Sequence, residues 1–169
     1  MSSGIIKSQV ISLSLRNFRN YLSVDFEPES DFSIILGPNG VGKTNILEAI
    51  SMLSPGRGLR GSKTSDIEYF EGKGYGWSVS ADIKGSRALS RINTFADGEC
   101  VKRSIEIDDK NASQADLSRM LSISWLVPQM GHIFIDSSSA RRKFLDRMVS
   151  NFDPSHIKNL YSYEYHMKE

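Results

Sequence analysis

The chain has 169 residues, 39% of them hydrophobic, and a formal net charge of +1, which is the composition of a folded globular domain. This composition excludes collagen-like and disordered proteins, and the low net charge means that affinity for nucleic acid requires a local basic patch. The single cysteine, Cys100, excludes an internal disulfide and a cysteine zinc cluster. Because no apolar run is long enough to span a bilayer, we expect a reducing, cytoplasmic location.

The N-terminal third predicts two strands, a buried strand and a helix. Alternation of apolar and polar residues predicts strands at 9–15 and 21–26, joined by a tight turn at 16–20. A mostly continuous apolar run at 32–36 predicts a strand buried on both faces, as in a parallel sheet. Apolar residues at helical spacing then predict a helix ending before Pro55: Ile46, Ala49, Ile50 and Leu53.

The middle of the chain predicts an antiparallel block. Strand-like segments at 75–83, 88–95 and 101–107 are separated by hairpin signals. Residues 116–121 have a helical pattern, and the apolar run at 124–127 predicts another buried strand. The pattern is therefore α/β with an antiparallel insertion.

The clearest motif lies between the predicted strand at 32–36 and the helix. It matches G-x-x-x-x-G-K-[ST] in full, with Gly37, Pro38, Asn39, Gly40, Val41, Gly42, Lys43 and Thr44. Glycines allow backbone N–H groups to converge on phosphate oxygens, where the helix N-terminus adds partial positive charge. In such a P-loop, Lys43 reaches the β- and γ-phosphates and the Thr44 hydroxyl binds Mg²⁺. A junction whose glycines serve geometry alone is the weaker alternative.

Four blocks spread from about residue 10 to 153 resemble the RecF family of bacterial recombination mediators, relatives of the SMC heads. They comprise 13–21, 37–50, 54–60, and 125–130 followed by 141–147. The P-loop alone is generic, whereas the four blocks in this order are specific. The resemblance implies an α/β fold, a partial P-loop NTPase of the ABC/SMC-head type. In this fold the P-loop strand and helix are flanked by an antiparallel β block and followed by a helical region.

The same resemblance implies that the chain divides into two parts. Residues 1–136 are expected to form the N-terminal lobe of an ATPase head, and 137–169 the start of a helical arm. The last helical pattern still runs at Glu169, so we expect a truncated chain. A Walker B strand and a signature motif are not recognisable, and the family carries its Walker B further downstream. The nearest match ends at Asp136, which we interpret as a helix cap rather than a metal ligand.

The family resemblance also implies a function. We expect an ATP- and Mg²⁺-binding recombination mediator that acts in DNA repair, the SOS response to DNA damage and replication restart at gaps. Its ATP-bound heads would dimerise on single-stranded or gapped duplex DNA and work with other recombination mediator proteins. The complete protein would be a weak DNA-dependent ATPase, and this chain would bind ATP without hydrolysing it. A small P-loop phosphotransferase and a non-hydrolysing nucleotide-binding interaction module remain alternatives.

Three more residues are candidates for the nucleotide site. In related heads the turn that contains Arg19 and Asn20 lies beside the nucleotide, so these side chains are expected to contact phosphate or base. Gln129 stands where ABC-type heads keep a residue that touches the metal and the attacking water. Since RecF proteins do not uniformly have glutamine there, a plain surface turn is an equal alternative.

A basic turn follows the predicted helix. It contains Arg57, Arg60 and Lys63, and no acidic residue occurs between Glu48 and Asp66. Local positive charge of this kind predicts contact with DNA phosphates. The alternative is a solvated loop, which is the commoner role of a short charge run.

Overall fold

The computed structural model describes residues 8–72, 74–85, 88–98, 102–132, 135, 137–153 and 155–167. Six strands form one antiparallel sheet in the order β2-β1-β3-β4-β5-β6. The strands are β1 (Gln9–Phe18), β2 (Tyr21–Phe26), β3 (Trp77–Lys84), β4 (Leu89–Ala96), β5 (Ser104–Ile107) and β6 (Lys110–Asn111). The helices are α1 (Lys43–Ser51), α2 (Gln114–Met120), α3 (Ser138–Phe152) and α4 (Ser155–His166).

The core lies on one face of this sheet. Alternate residues of β3 are buried, as the period of a strand with one covered face requires. Buried side chains of α1, of the turn that follows it and of α2 complete the same cluster. Its members include Leu13, Leu15, Val79, Ala81 and Ile92 from the sheet, Ala49 from α1, Met52 and Leu53 from the turn, and Leu117 from α2. The five predicted strands of this sheet are therefore confirmed, and β1 continues beyond its predicted end to Phe18, which pairs with Tyr21.

Two predicted buried strands are wrong. Residues 32–36 and 124–127 belong to no strand within the described part of the chain. The side chains of Phe32, Ile34 and Leu36 are between 83% and 89% exposed, and Leu126 is similarly exposed. An apolar run favours a strand, but a strand also needs a neighbouring backbone to pair with, and none of the described segments supplies one here.

The last two helices form a pair with little burial. α3 has no buried residue, and its apolar side chains Leu145, Met148, Val149 and Phe152 are exposed. α4 contacts α3 through His156 Nε2 and Asp146 Oδ1, which are 3.0 Å apart. Asp136, expected to cap α3, lies outside the described residues, and the cap is Ser137, whose hydroxyl accepts a hydrogen bond from the Ala140 N–H. None of the helices in the described ranges is long and apolar enough to cross a membrane.

Candidate functional site: a phosphate loop and the cleft beside it

The phosphate loop packs beneath the β1–β2 turn. Gly42 is the N-cap of α1 and has a φ of +109°, a conformation that L side chains rarely adopt. A Cβ built on Gly42 would lie 2.6 Å from both Asn20 Nδ2 and the Tyr21 hydroxyl oxygen. Glycine is therefore required at this position both for its backbone conformation and for the close approach of the turn.

Lys43 folds back over the loop that precedes it. Its ammonium Nζ donates hydrogen bonds to the carbonyl oxygens of Gly37 (2.7 Å) and Pro38 (2.6 Å). Thr44 follows in the first turn of α1 and is exposed. A phosphate group that enters the loop offers the Lys43 ammonium charged acceptors in place of two neutral carbonyls, which makes stronger hydrogen bonds.

The turn between β1 and β2 is held in an unusual conformation. Asn17 and Arg19 both have positive φ, +52° and +55°, which is uncommon for residues other than glycine. The segment after the basic turn fixes them, because the Arg19 N–H donates to the Ile67 carbonyl (2.7 Å) and the Tyr69 N–H to the Asn17 carbonyl (2.8 Å). Such strained residues persist only where the surrounding structure holds them. Arg19 and Asn20 are thus presented at a defined place.

Asn20 joins this turn to the phosphate loop and to α1. Its Nδ2 donates to the Val41 carbonyl (3.0 Å), and its Oδ1 accepts from Asn45 Nδ2 (2.7 Å). The structure therefore places Asn20 directly against the P-loop. Whether Arg19 and Asn20 contact a nucleotide stays a prediction.

A buried carboxylate lies behind the same turn. Glu48 of α1 is fully buried, and its two oxygens accept hydrogen bonds from Arg19 Nη2 (2.6 Å) and Arg19 Nε (2.9 Å). Arg60 Nη1 donates to Glu48 Oε2 at 2.6 Å and to Asn45 Oδ1 at 2.8 Å. Arg19 Nη1 also donates to the Asp66 carbonyl. One carboxylate therefore organises two guanidinium groups.

Glu48 was not among the site residues predicted from the sequence. A signal was available, since Glu48 precedes Ala49 and stands four residues before Met52, so it occupies a core-facing position of the predicted helix. A carboxylate is seldom fully buried unless it is paired, so its position predicts a basic partner. The residues that pair with it come from other parts of the chain and could not be named from spacing.

A cleft of about 520 Å³ opens beside the loop. Its walls are formed by the β1–β2 turn, α1 and the segment that follows the basic turn, with Arg19, Asn20, Asn45, Arg60, Ser65, Asp66, Glu68, Tyr69 and Phe70. The negative charge of Glu71, with smaller effects of burial and a hydrogen bond to the same carboxylate, raises the pKa of the Tyr69 phenol. At neutral pH the cleft thus offers a neutral phenol, the exposed ring of Phe70 and two guanidinium groups, beside the acidic side chains of Asp66 and Glu68.

The structure separates the residues of the predicted basic turn. Arg57 and Lys63 are exposed, and neither side chain has a partner among the described residues. DNA contact by Arg57, Arg60 and Lys63 stays a prediction, but Arg60 also pairs with Glu48 at the cleft. The reason is the buried charge of Glu48, which attracts the nearest available guanidinium.

The backbone of the basic turn is held by Arg103 and Gln114. Arg103 donates to the carbonyls of Ser54 (3.1 Å) and Gly56 (2.8 Å), and Gln114 Oε1 accepts from the Gly56 N–H (2.9 Å). Burial lowers the pKa of the Arg103 guanidinium to about 10, so the group still carries its proton at pH 7. The turn is therefore anchored at Gly56, next to the exposed Arg57.

The described structure adds little on two other predictions, the role of Gln129 and the Mg²⁺ site. The backbone of Gln129 lies in a short 3₁₀ helix, Pro128–His132, but its side chain is outside the described part of the structure. Within the ranges that are described, no three histidine, cysteine, aspartate or glutamate side chains are grouped as metal ligands would be. Thr44 remains the residue on which the prediction of a Mg²⁺ contact rests.

Comparison with known proteins places this architecture in a family. The AAA domain family matches residues 12–163, which is most of the chain. The chain belongs to the AAA domain family. With the structural similarities described next, this confirms the predicted fold, an α/β P-loop head of the ABC/SMC type in partial form.

The chain is similar to the N-terminal part of RecF proteins. It is 42% identical over 158 residues to the DNA replication and repair protein RecF of Rickettsia massiliae and 42% identical over 163 residues to that of Rickettsia typhi. Each alignment covers 94% of this chain and 43% of the relative, so the chain spans less than half the length of these proteins. The predicted resemblance to the RecF family is thereby confirmed.

Two solved structures share the fold. The recombination mediator protein RecF-ATPrS in the RecFOR pathway superposes with a TM-score of 0.83 at 26% identity and covers 94% of this chain and 42% of that one. The RecF-ATP structure gives 0.82 at 25% identity and covers 95% and 44%, respectively.

Proposed function

We propose that this chain is the ATP-binding part of a RecF-type protein of DNA replication and repair. The observation that carries the proposal is the loop from Gly37 to Thr44, with Lys43 bonded across it and the cleft of Arg19 and Asn20 alongside. Similarity to RecF structures with ATP and ATPrS supports ATP as the nucleotide.

In this proposal the loop binds the phosphates of ATP, and the cleft lies beside them. The backbone N–H groups of the loop and the N-terminus of α1 bind the phosphates, and Lys43 exchanges its two carbonyl partners for phosphate oxygens. The exposed Thr44 hydroxyl would supply one oxygen ligand to Mg²⁺. Phosphate oxygens and water would supply the other ligands. Arg19 and Asn20 line the cleft beside the loop, and we assign to them contact with phosphate or base.

We further propose that the complete protein is a recombination mediator. Its ATP-bound heads dimerise on single-stranded or gapped duplex DNA in the cytoplasm and act with other mediator proteins. Residues 1–136 supply the lobe of the head and 137–169 begin the helical arm. The RecF names of the relatives and the RecFOR pathway of the solved structures support this assignment.

DNA binding by the basic turn is tested by its salt dependence. Replacing Arg57 and Lys63 with alanine is expected to weaken DNA binding and to reduce the slope of log affinity against log salt by about 0.9 for each duplex phosphate that the variant no longer neutralises. The measurement is fluorescence anisotropy with labelled gapped duplex at several salt concentrations. Lys84→Ala with Lys110→Ala removes the same charge from β3 and β6 and should leave the slope unchanged. An unchanged slope in the Arg57/Lys63 variant would show that the turn is a solvated loop that does not contact DNA phosphates.

This 169-residue chain is expected to bind ATP without measurable turnover. In addition to the phosphate loop and its Thr44 hydroxyl, phosphoryl transfer needs a carboxylate that helps to hold Mg²⁺, a positioned water and charge stabilisation. Loss of each transition-state group typically lowers the rate by about 10²–10³-fold. Labelled ATP incubated with Mg²⁺, with and without DNA, measures this directly against a Lys43→Ala baseline. Turnover above that baseline would contradict the expectation, and transfer to a small acceptor without DNA would favour a phosphotransferase.

A further inference from the structure

We propose that Glu48 is a positioning residue for the nucleotide site, which it serves by orienting the Arg19 guanidinium. This inference rests on the proposed function, because it assigns Glu48 a role in ATP binding. Glu48 is absent from the cleft wall, whereas Arg19, Asn45 and Arg60 all line it. Glu48 therefore acts through Arg19 and not by touching the ligand.

The geometry fixes the plane of the Arg19 guanidinium. Arg19 Nε and Nη2 bond the two different oxygens of Glu48, at 2.9 and 2.6 Å, which is the two-pronged arrangement of an arginine and a carboxylate. Arg19 Nη2 also donates to Ser62 Oγ at 2.6 Å. A long side chain that otherwise samples many rotamers is held in one orientation at the edge of the cleft.

Arg60 secures the same carboxylate from the other side. Its Nη1 lies 2.6 Å from Glu48 Oε2, and the side chain of Glu48 is fully buried while that of Arg60 is 38% exposed. The three groups together carry one net positive charge. An anionic ligand in this cleft thus meets two guanidinium groups, beside the acidic side chains of Asp66 and Glu68, and the placement of those guanidinium groups is set by a carboxylate that does not line the cleft.

Positioning and simple charge repulsion predict opposite changes in ATP affinity when the charge of Glu48 is removed. A carboxylate near a triphosphate repels it, so removal of the Glu48 charge should strengthen ATP binding if charge alone mattered. Loss of positioning has the opposite effect, because Arg19 must then be ordered when the ligand binds. Weaker binding after neutralisation is therefore the specific result of the proposed role.

The experiment measures ATP affinity by calorimetry for Glu48→Gln, Arg19→Met and the double variant. Glu48→Gln is expected to weaken ATP binding by roughly tenfold with unchanged stoichiometry, as expected for the loss of a charged hydrogen-bond arrangement. The double variant should bind no more weakly than Arg19→Met, since Glu48 acts through Arg19. Glu106→Gln, on β5 and remote from the cleft lining, is the matched control and should behave as the unmodified chain.

Several outcomes would overturn the proposal. Unchanged or tighter ATP binding by Glu48→Gln, or additive losses in the double variant, would show that Glu48 does not act by orienting Arg19. If circular dichroism shows that Glu48→Gln is unfolded, Arg19→Lys replaces it, because lysine keeps the charge but cannot bond both oxygens in a fixed plane. Unchanged ATP affinity in Arg19→Lys would likewise overturn the proposal. No ATP binding by the unmodified chain would instead contradict the proposed function.

Discussion

Lys43→Ala is expected to reduce affinity for ATP by at least about a hundredfold while the fold stays intact. The substitution removes the ammonium, so bound ATP loses two or more charged hydrogen bonds, each with a free energy of about 1.5–3 kcal/mol. In the structure, its partners are the backbone carbonyls of Gly37 and Pro38, in an exposed loop outside the core, so its removal costs the fold little. Calorimetric titration gives the affinity, and thermal unfolding followed by circular dichroism gives the stability.

Lys84→Ala is the control for this experiment. Lys84 is an exposed lysine at the end of β3, so its removal changes the net charge equally without touching the loop. We expect this variant to retain the ATP affinity of the unmodified chain. Equal affinity in the Lys43→Ala variant would contradict the assignment of Gly37 to Thr44 as a phosphate-binding loop.

Phe18→Ala is expected to lower the free energy of unfolding by about 3–5 kcal/mol. Phe18 is fully buried, and its ring packs edge-on against Trp77 with centroids 5.8 Å apart. Its removal leaves a cavity and breaks an aromatic pair at the end of β1. Urea unfolding followed by tryptophan fluorescence measures the change.

The consequences of Phe18→Ala should extend to the site. Phe18 directly precedes Arg19 and Asn20, so it anchors the turn that covers Gly42. Leu22→Ala, on the exposed side of the same hairpin, is the control and should change stability by less than about 0.5 kcal/mol. A decrease in stability of less than about 1 kcal/mol in Phe18→Ala would contradict the packing described for this turn.

The antiparallel sheet and the phosphate loop were predictable because their signals are local. Alternation along β3 reports directly which residues face the core, and hairpin turns fix the order of neighbouring strands. The glycines and the lysine of the loop act within eight consecutive residues. In the loop and in the hairpin pairs, the residues that determine the structure are adjacent in the chain, whereas the pairing of β1 with β3, which no hairpin connects, was not predicted.

The remaining features depend on partners distant in sequence. The apolar run at 32–36 has the composition of a strand, but pairing requires a second segment, and the described residues offer none. Arg60 looks like a member of a basic turn until Glu48 is known to be buried within its reach. Charge spacing therefore predicts the exposed positions of Arg57, Arg60 and Lys63, but not the pairing of Arg60 with a buried acid.

The central claim, a triphosphate site on this chain, is tested most directly by equilibrium dialysis of the unmodified protein with labelled ATP and Mg²⁺. We predict saturable binding of one ATP per chain, and adenosine at the same concentration should fail to compete because the loop binds phosphates. Absence of saturable ATP binding, or equal competition by adenosine, would contradict the assignment of this site.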